Sequence, residues 1–373
     1  MKSLKVDKMF LWIVSILVGV GFFLFVSAAL GTLDKNESKF YSVLMSQGFG
    51  LIGGILVSYI CYKIPYTFWK KYSLVLFICS ILLVLMVFIP SLTLEHNGAR
   101  RWVSLGFISF QPVEFLKIAF IIYAAAWLSY IRGKIHDAKF SVIPFLCVTG
   151  IIALVLAKQP DTKSLILIFI SGIAMLFVSG IKWKYLGYIA LVGVVGFSLL
   201  LIINPYTQSR VKTFLKPDRD PADQSFQIQQ SLIAIGSGKI FGRGFGQSIE
   251  KFSKLPEPQG DAIFAVIGEE FGFIGTMSVV ILFVMFALRG LRIANMAPDM
   301  FSRLLVTGIV ILFTTQAFLN IASFIGIFPL TGVPLVFISH GGTSLMVALA
   351  SIGIILNISK YQKNKALSDK EIQ

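Results

Sequence analysis

Charged residues are scarce in this sequence. Only 14% of its 373 residues are Asp, Glu, Lys or Arg, whereas 56% are hydrophobic and the mean hydropathy is +0.83. This composition excludes an ordinary water-soluble domain, because such domains carry far more charge. It predicts an all-α polytopic membrane protein, whose 34 Phe and 32 Gly suit lipid contact and close helix packing.

Cysteine and histidine are also rare, with three residues of each. Cys61, Cys79 and Cys147 lie in or beside apolar runs, so neither a disulfide framework nor a cysteine-based metal site is visible. The histidines are scattered without metal-ligand spacing. The residues by themselves therefore predict no metal site.

Acidic residues are outnumbered by basic ones, 18 to 33, which gives a net charge of +15. A basic excess can indicate nucleic-acid binding, but here the basic residues are spread between hydrophobic segments, as in a topology signal. Ten apolar runs are long enough to predict membrane spans, at 9–31, 44–64, 73–92, 112–130, 141–158, 163–180, 185–204, 262–288, 303–326 and 341–358.

The basic residues predict that both chain ends lie in the cytoplasm. With that orientation the cytoplasmic segments hold the acids Asp7, Asp137, Asp299, Asp369 and Glu371. They hold many more basic residues, namely Lys2, Lys5, Lys8, Lys63, Lys70, Lys71, Arg132, Lys134, Lys139, Lys182, Lys184, Arg289, Arg292, Arg303, Lys360, Lys363, Lys365 and Lys370. We therefore expect one transmembrane domain over 1–373, a long extracytoplasmic loop at 205–261 and a cytoplasmic tail at 359–373.

Asp261 stands where the long polar loop becomes apolar helix. A carboxylate there can cap the helix N-terminus, as Asp often does. It can also serve as an acid or base for a lipid-linked substrate, because it meets water, headgroups and bilayer together. Asp161, next to Pro160 in another outer hairpin, has the same two interpretations: a helix cap, with Lys158 and Lys163 solvated, or a second carboxylate facing Asp261.

Two further groups of charged residues precede that hairpin. Arg100 and Arg101, beside Trp102, are either an interfacial anchor or a phosphate clamp, since guanidinium forks match phosphate oxygens. Glu114 and Lys117 lie three apart inside a span and so share one helix face. Ionisable residues within a span are functional candidates by default, although this spacing also suits a self-neutralising structural pair.

The long loop and the span after it add more candidates. Arg210 lies in a basic, proline-punctuated stretch, and an amphipathic helix is predicted from Asp223 onward. A glycine-rich stretch at 236–246 predicts either an anion-binding nest or tight turns. The other charged candidates are Lys239 and Arg243 in that stretch and Glu269 and Glu270 in the next span, where at least one acid should line an interior. Residues 326–344, rich in Gly and Pro, predict an irregular segment packed within protein.

These motifs resemble the SEDS (shape, elongation, division, sporulation) family over nearly the whole chain and in order. The matching stretches are 98–106 (GARRWVSLG), 110–117 (FQPVEFLK), 159–161 (QPD), 230–238 (QSLIAIGSG), 263–272 (IFAVIGEEFG), 329–335 (PLTGVPL) and 339–344 (SHGGTS). Two stretches, GARRW and 245–251 (FGQSIEK), resemble the division branch more than the elongation branch. The sequence departs from the family at Gln259-Gly260, where His-Thr is usual before Asp261, and at His340, where Tyr is usual.

The resemblance implies a peptidoglycan glycosyltransferase that polymerises lipid II at the outer face of the cytoplasmic membrane, at the division septum. It implies Asp261 as base, with Arg100, Arg101, Lys117 and Arg210 as cations for the departing diphosphate. Asp161 is implied as support for the base or as ligand of a divalent cation, Mg or Mn. A class B penicillin-binding transpeptidase is the implied partner, and no nucleic acid is expected.

Three other functions suit the same features. A lipid II flippase would also use ten spans, intramembrane charges and a Gly/Pro-broken segment before the last helix. An elongation-type polymerase would share the chemistry but serve cell shape. A scaffold that recruits division proteins would need no chemistry. A polymerisation assay separates the enzymes from the others.

Overall fold

The computed structural model describes residues 5–33, 36–96, 99–104, 109–203, 205–215 and 224–362. Apolar runs between polar punctuation form helices as expected. The helices are α1 (Lys8–Leu33), α2 (Glu37–Lys63), α3 (Tyr66–Lys71), α4 (Ser73–Leu85), α5 (Pro112–Tyr130), α6 (Ala138–Lys158), α7 (Thr162–Ser179), α8 (Trp183–Ile203), α9 (Pro205–Leu215), α10 (Gln224–Ser237), α11 (Ile263–Asn295), α12 (Met300–Phe324) and α13 (Gly342–Ser359). The prediction of an all-α polytopic membrane protein is confirmed.

Nine described helices are long and apolar enough to cross a membrane. They match nine of the ten predicted spans. The exception is the prediction at 73–92, where α4 continues only through a 3-10 turn, Met86–Phe88. At 1.5 Å per residue this unit falls short of the roughly 30 Å hydrocarbon core, so the tenth predicted span is a shorter apolar helix.

A small antiparallel sheet follows α4, and the sequence analysis did not predict it. Its strands are β1 (Thr93–His96), β2 (Ala99–Ser104) and β3 (Ser109–Phe110), in that order across the sheet. β2 carries Arg100 opposite Glu95, then Arg101. The side chain of Arg100 lies outside the described part of the structure, so its predicted phosphate contact has no structural description.

The start of α1 and the end of α13 meet on one face of the bundle. Asp7 accepts from Arg289 at the end of α11, with 2.7 Å between Oδ2 and Nη2, and its backbone amide donates to Ser359 Oγ at 3.2 Å. Lys360 Nζ donates to the carbonyl of Tyr62 at 3.1 Å. These contacts place the start of α1, the ends of α2, α11 and α13 on the same face, as the predicted topology requires.

Helices α5, α12 and α13 form the interior, and α8 lies at the periphery. Most of the hydrophobic window of each inner helix is buried, whereas Ile189 is the single buried residue of α8. Glycine allows α2 and α13 to touch along their length. A Cβ built on Gly50 would lie 2.4 Å from Gly342 Cα, and one on Gly353 would lie 2.1 Å from the Ser58 carbonyl. This is the small-residue packing that membrane helices use.

Helix α11 is broken at Gly272, where φ is +63° and ψ is −157°. Glycine adopts this conformation without steric cost. The break frees backbone groups on both sides, and the glycine-rich loop pairs with them. Arg243 and Gly244 amides donate to the Glu269 and Glu270 carbonyls at 2.9 Å, and the Phe273 amide donates to the Lys239 carbonyl at 2.9 Å. The Arg243 and Gly244 amides therefore cannot form the predicted anion-binding nest, because they already donate to carbonyls of α11.

Candidate active site

A cavity of about 290 Å³ lies between α7, α8, α9 and the irregular segment before α13. Its lining is mainly apolar and includes three cationic side chains, so it suits a molecule with an apolar tail and an anionic head. The apolar wall includes Ile166, Phe197, Leu201, Phe214, Leu215, Phe328 and Leu330, and the cationic part includes Arg101, Lys163 and Arg210.

Asp261 faces this cationic part across Gly332. A Cβ built on Gly332 would lie 3.2 Å from Asp261 Oδ2 and 3.1 Å from Arg210 Nη2. Asp261 Oδ2 and Arg210 Nη2 are therefore no more than about 6 Å apart. Gly332 has φ +63°, a conformation that disfavours any side chain, and a side chain there would also press on both groups. Glycine at this position keeps the space between acid and cation open.

The helix-cap interpretation of Asp261 is wrong. The N-cap residue of α11 is Ala262, and no side chain makes a capping hydrogen bond there. Asp261 precedes the cap in a turn, is partly exposed, and makes no recorded side-chain hydrogen bond within the described ranges. Its carboxylate oxygens are therefore available to a ligand that reaches Arg210.

Asn320 fixes the backbone of Asp261. Its side chain is 1% exposed, and Nδ2 donates both to the Asp261 carbonyl at 2.9 Å and to the Val333 carbonyl at 2.7 Å. One amide of α12 thereby joins the acid to the segment that carries Gly332. Neither the spacing nor the motifs of the sequence identified Asn320, since Asp261 and Asn320 are far apart along the chain.

Replacing Asn320 with Leu should slow the reaction without weakening substrate binding. Leu matches Asn in size but cannot hold either carbonyl, and a displacement of about 1 Å at a reacting group costs about 100-fold in rate. We expect kcat of Asn320→Leu to fall by about that factor while KM changes little. Thr314→Val is the matched control, because the buried Thr314 hydroxyl has no hydrogen-bond partner among the described residues. Equal kcat for wild type and Asn320→Leu would refute the positioning role.

Gln259, which stands where the family usually has His, connects the turn before Asp261 to two other elements. Thr32 Oγ1 of α1 donates to Gln259 Oε1 at 3.2 Å, and the His340 amide donates to the Gln259 carbonyl at 2.8 Å. His340 is the other departure from the family, so the two unusual residues are in direct contact. Its ring stacks near Phe25, with 6.0 Å between centroids.

Acidification should destabilise the protein through His340. Burial, with a smaller effect from Lys39, lowers the pKa of His340 from 6.5 to about 4. The folded state therefore disfavours the protonated ring, and stability is lost as pH falls from 6.5 towards 4, by up to about 3 kcal/mol. Melting curves of His340→Phe should lack this loss. The exposed His136→Phe is the control and should follow wild type; a His340→Phe curve parallel to wild type at all pH values would contradict the prediction.

Two of the cavity cations, Arg101 and Lys163, donate to backbone carbonyls. Arg101 Nε donates to the Gln159 carbonyl at 3.3 Å and Nη2 to the Pro160 carbonyl. Lys163 Nζ donates to the Gly332 carbonyl. The expectation that Lys163 is simply solvated is wrong, because it lines the cavity beside Arg210.

Asp161 does not line the cavity. It is 1% exposed and caps α7, accepting from the Ser164 amide at 3.4 Å and Ser164 Oγ at 2.9 Å. The helix-cap interpretation therefore fits, and the implied support of Asp261 stays a prediction. The cap fixes the first turn of α7, which carries Lys163.

Glu114 and Lys117 form a buried ion pair, with 2.9 Å between Oε1 and Nζ. Gln316 Oε1 accepts from Lys117 at 3.4 Å, and Gln316 Nε2 donates to the Pro334 carbonyl at 3.1 Å. Ser344 Oγ donates to Glu114 Oε2 at 3.2 Å. The self-neutralising structural interpretation thus fits, and direct substrate binding by this pair does not. Through Gln316 and Ser344, the ion pair stabilises the irregular segment before α13.

Glu269 and Glu270 are both buried, and they anchor the long loop instead of lining the cavity. Glu269 Oε2 accepts from Ser248 Oγ at 2.6 Å and from the Glu250 amide at 3.2 Å. Arg243 Nε lies 3.4 Å from Glu269 Oε1. The predicted roles of Arg243, Glu269 and Glu270 in substrate binding are corrected accordingly, and the exposed Lys239 does not line the cavity either.

Glu270 makes the most enclosed ion pair that the described residues contain. Its Oε1 lies 2.5 Å from Nζ of Lys251, and the two side chains are 1% and 0% exposed. Ser27 Oγ of α1 donates to Glu270 at 2.7–2.8 Å, and Lys251 Nζ donates to Ser27 Oγ at 3.1 Å. The loop before Asp261 is thus tied to both α1 and α11.

The divalent cation implied by the family resemblance finds no protein cage in the described ranges. No group of three or more His, Cys, Asp or Glu side chains there could hold a metal. Asp161 is enclosed with Ser164, and Asp261 faces Arg210. These residues therefore do not fit a divalent-cation site.

Known proteins resemble this chain over nearly its whole length. A family model described as "Cell cycle protein", that of FtsW, RodA and SpoVE, matches residues 7–364. Stage V sporulation protein E of Bacillus subtilis (strain 168) is 35% identical over 363 residues, which cover 97% of this chain and 99% of the relative. The "Probable peptidoglycan glycosyltransferase FtsW" of Geobacter sp. (strain M18) is 34% identical over 360 residues, covering 96% and 98%.

Solved structures give the same result for the fold. A chain from a structure described as "Structural coordination of polymerization and crosslinking by a peptidoglycan synthase complex" superposes with a TM-score of 0.77 at 25% identity, covering 96% of this chain and 99% of that one. The Thermus thermophilus rod shape determining protein RodA has a TM-score of 0.69 at 24% identity, covering 97% and 99%. With its family match, its relatives and its fold in agreement, this chain belongs to the FtsW/RodA/SpoVE family of cell cycle proteins, the SEDS family.

Proposed function

We propose that this protein is a peptidoglycan glycosyltransferase that polymerises lipid II at the outer face of the cytoplasmic membrane. The observation that carries the proposal is that Asp261 and Arg210 lie on either side of Gly332, and that Arg210 lines a mainly apolar cavity together with other cations. Relatives of similar length are named peptidoglycan glycosyltransferase FtsW, which supports the same reaction.

The reaction needs a base and a cationic site for the leaving group. An acceptor sugar hydroxyl attacks the anomeric carbon of the donor; the new C–O bond forms as the bond to the diphosphate breaks. Asp261 takes the hydroxyl proton, since its carboxylate makes no side-chain hydrogen bond to the described residues and lies near Arg210, which lines the cavity. Arg101 and Arg210 line the cavity and stabilise the negative charge that develops on the departing undecaprenyl diphosphate.

The apolar wall suits the polyprenyl chain. It is formed largely by α8 and α9, and α8 is the least buried of the nine long apolar helices. A lipid can therefore pass from the bilayer into the cavity beside α8 and bring its diphosphate to the cations. The cavity volume is in the usual range for part of a large ligand, so the sugars extend outward past Asp261.

The partner in this proposal is a class B penicillin-binding transpeptidase, and the place is the division septum. A structural neighbour belongs to a complex that coordinates polymerisation and crosslinking, which supports the transpeptidase. The relatives named FtsW support the division role. Nucleic acid has no part in this function.

Purified protein incubated with fluorescent lipid II tests the proposal. Glycan chains longer than the substrate are expected, and lysozyme should digest them. Flipping of lipid II in liposomes with no polymer formed would instead support the transporter. If folded protein supplied with its transpeptidase partner shows neither polymerisation nor flipping, the result would support the scaffold function.

A further inference from the structure

Lys163 has no carboxylate partner among the described residues, whereas four other cations do. Lys117, Arg243, Lys251 and Arg289 each lie within 4 Å of a carboxylate. For Lys163 Nζ, the described residues supply no such carboxylate, and its hydrogen-bond acceptor is the carbonyl of Gly332. A full positive charge therefore faces a neutral acceptor in a mainly apolar cavity.

The backbone on both sides of this hydrogen bond is held in place. Asp161 caps the turn of α7 that carries Lys163, and Asn320 holds Val333, the residue after Gly332. The ammonium thus spans the cavity from α7 to the irregular segment, next to Arg210. An anion that enters this part of the cavity reaches Lys163 without any movement of a helix.

A phosphate oxygen is a stronger acceptor for an ammonium than a carbonyl is. Charge-assisted hydrogen bonds to phosphate are about twice as strong as bonds with a neutral partner. The apolar walls increase that difference, since they lower the local dielectric constant. Lysine acts as a compact point charge on a flexible stem, so it can change partners by rotating its side chain.

We propose that Lys163 is a diphosphate-binding residue whose ammonium leaves the Gly332 carbonyl for a phosphate oxygen of the bound lipid. This inference rests on the proposed function and deepens it, because it assigns a specific cation to the charge of the leaving group. With Arg101 and Arg210, it gives the cavity enough positive charge to prefer a diphosphate to a monophosphate.

Binding of undecaprenyl diphosphate and undecaprenyl monophosphate to purified protein tests the inference. Lys163→Gln should weaken diphosphate binding by about 10- to 100-fold, the usual effect of one lost charge-assisted bond, and monophosphate binding by less. Lys163→Arg should restore most of the affinity because it keeps the charge. Lys158→Gln is the matched control: Lys158 is exposed in the same hairpin and should bind both lipids as wild type does.

Two results would overturn the inference. One is a Lys163→Gln variant that binds undecaprenyl diphosphate as wild type does. The other is an equal loss of affinity for both lipids, which would assign Lys163 to cavity shape. Melting temperatures of all variants show whether the fold is retained. Polymerisation by wild type is measured in parallel, since its failure would count against the proposed function, whereas these two results count against Lys163 alone.

Discussion

Asp261→Asn is expected to abolish glycan polymerisation while leaving the fold intact. Asn keeps the size and shape of the side chain but cannot take the proton of the acceptor hydroxyl. A positioned general base contributes about 10²- to 10⁴-fold to a rate, and the initial rate of polymer formation should fall by that factor. Binding of undecaprenyl diphosphate should persist, because its cations remain in place.

The control for this prediction is Glu257→Gln. Glu257 is an exposed carboxylate in the same loop, four residues before Asp261, and its loss removes the same charge. We expect Glu257→Gln to polymerise lipid II at nearly the wild-type rate. An Asp261→Asn variant that polymerises as fast as Glu257→Gln would show that another group accepts the proton.

Lys251→Met is expected to destabilise the whole protein. The change leaves the Glu270 carboxylate buried with Ser27 as its partner and without a cation. Removing one member of a buried ion pair costs about 3–5 kcal/mol, because an uncompensated charge stays in a low-dielectric interior. The melting temperature in detergent should fall sharply, and the loop before Asp261 should become accessible to protease.

The double variant Lys251→Met/Glu270→Gln separates charge from packing. With both charges removed, we expect most of the lost stability to return, since no uncompensated charge remains. Lys254 is exposed, so Lys254→Met is the matched single control. Its free energy of unfolding should lie within about 0.5 kcal/mol of the wild-type value. If the double variant is as unstable as Lys251→Met, the loss arises from packing around the lysine stem.

Hydropathy and basic residues were sufficient to predict most of the fold. Nine of ten spans were predicted correctly because a membrane span needs a long apolar run, which is a local property of the sequence. The prediction at 73–92 was too long, because α4 ends at Leu85 and two short 3-10 turns, Met86–Phe88 and Pro90–Leu92, follow it. Hydropathy does not distinguish a short apolar turn from the end of a span.

The candidate site was predictable only in part. Asp261 was identified by its position between loop and helix, and the structure removed its alternative role as a cap. Lys163 and Asn320 were missed, since their roles depend on contacts with Gly332 and Val333 that chain spacing does not reveal.

Buried acids were the main source of error. Glu114, Glu269 and Glu270 were functional candidates because charge within a span often marks function. Each instead has a partner from another element: Ser344, Ser248 and Lys251 respectively. A partner that is distant along the chain turns a functional candidate into a structural one, and single-sequence reasoning does not detect it.

A structure of Asp261→Asn with lipid II bound tests the central claim most directly. We predict that the diphosphate contacts Lys163 and Arg210, that the polyprenyl chain lies along Phe197 and Phe214, and that the acceptor hydroxyl is within hydrogen-bond distance of residue 261. A diphosphate bound elsewhere, with residue 261 remote from both sugars, would contradict it.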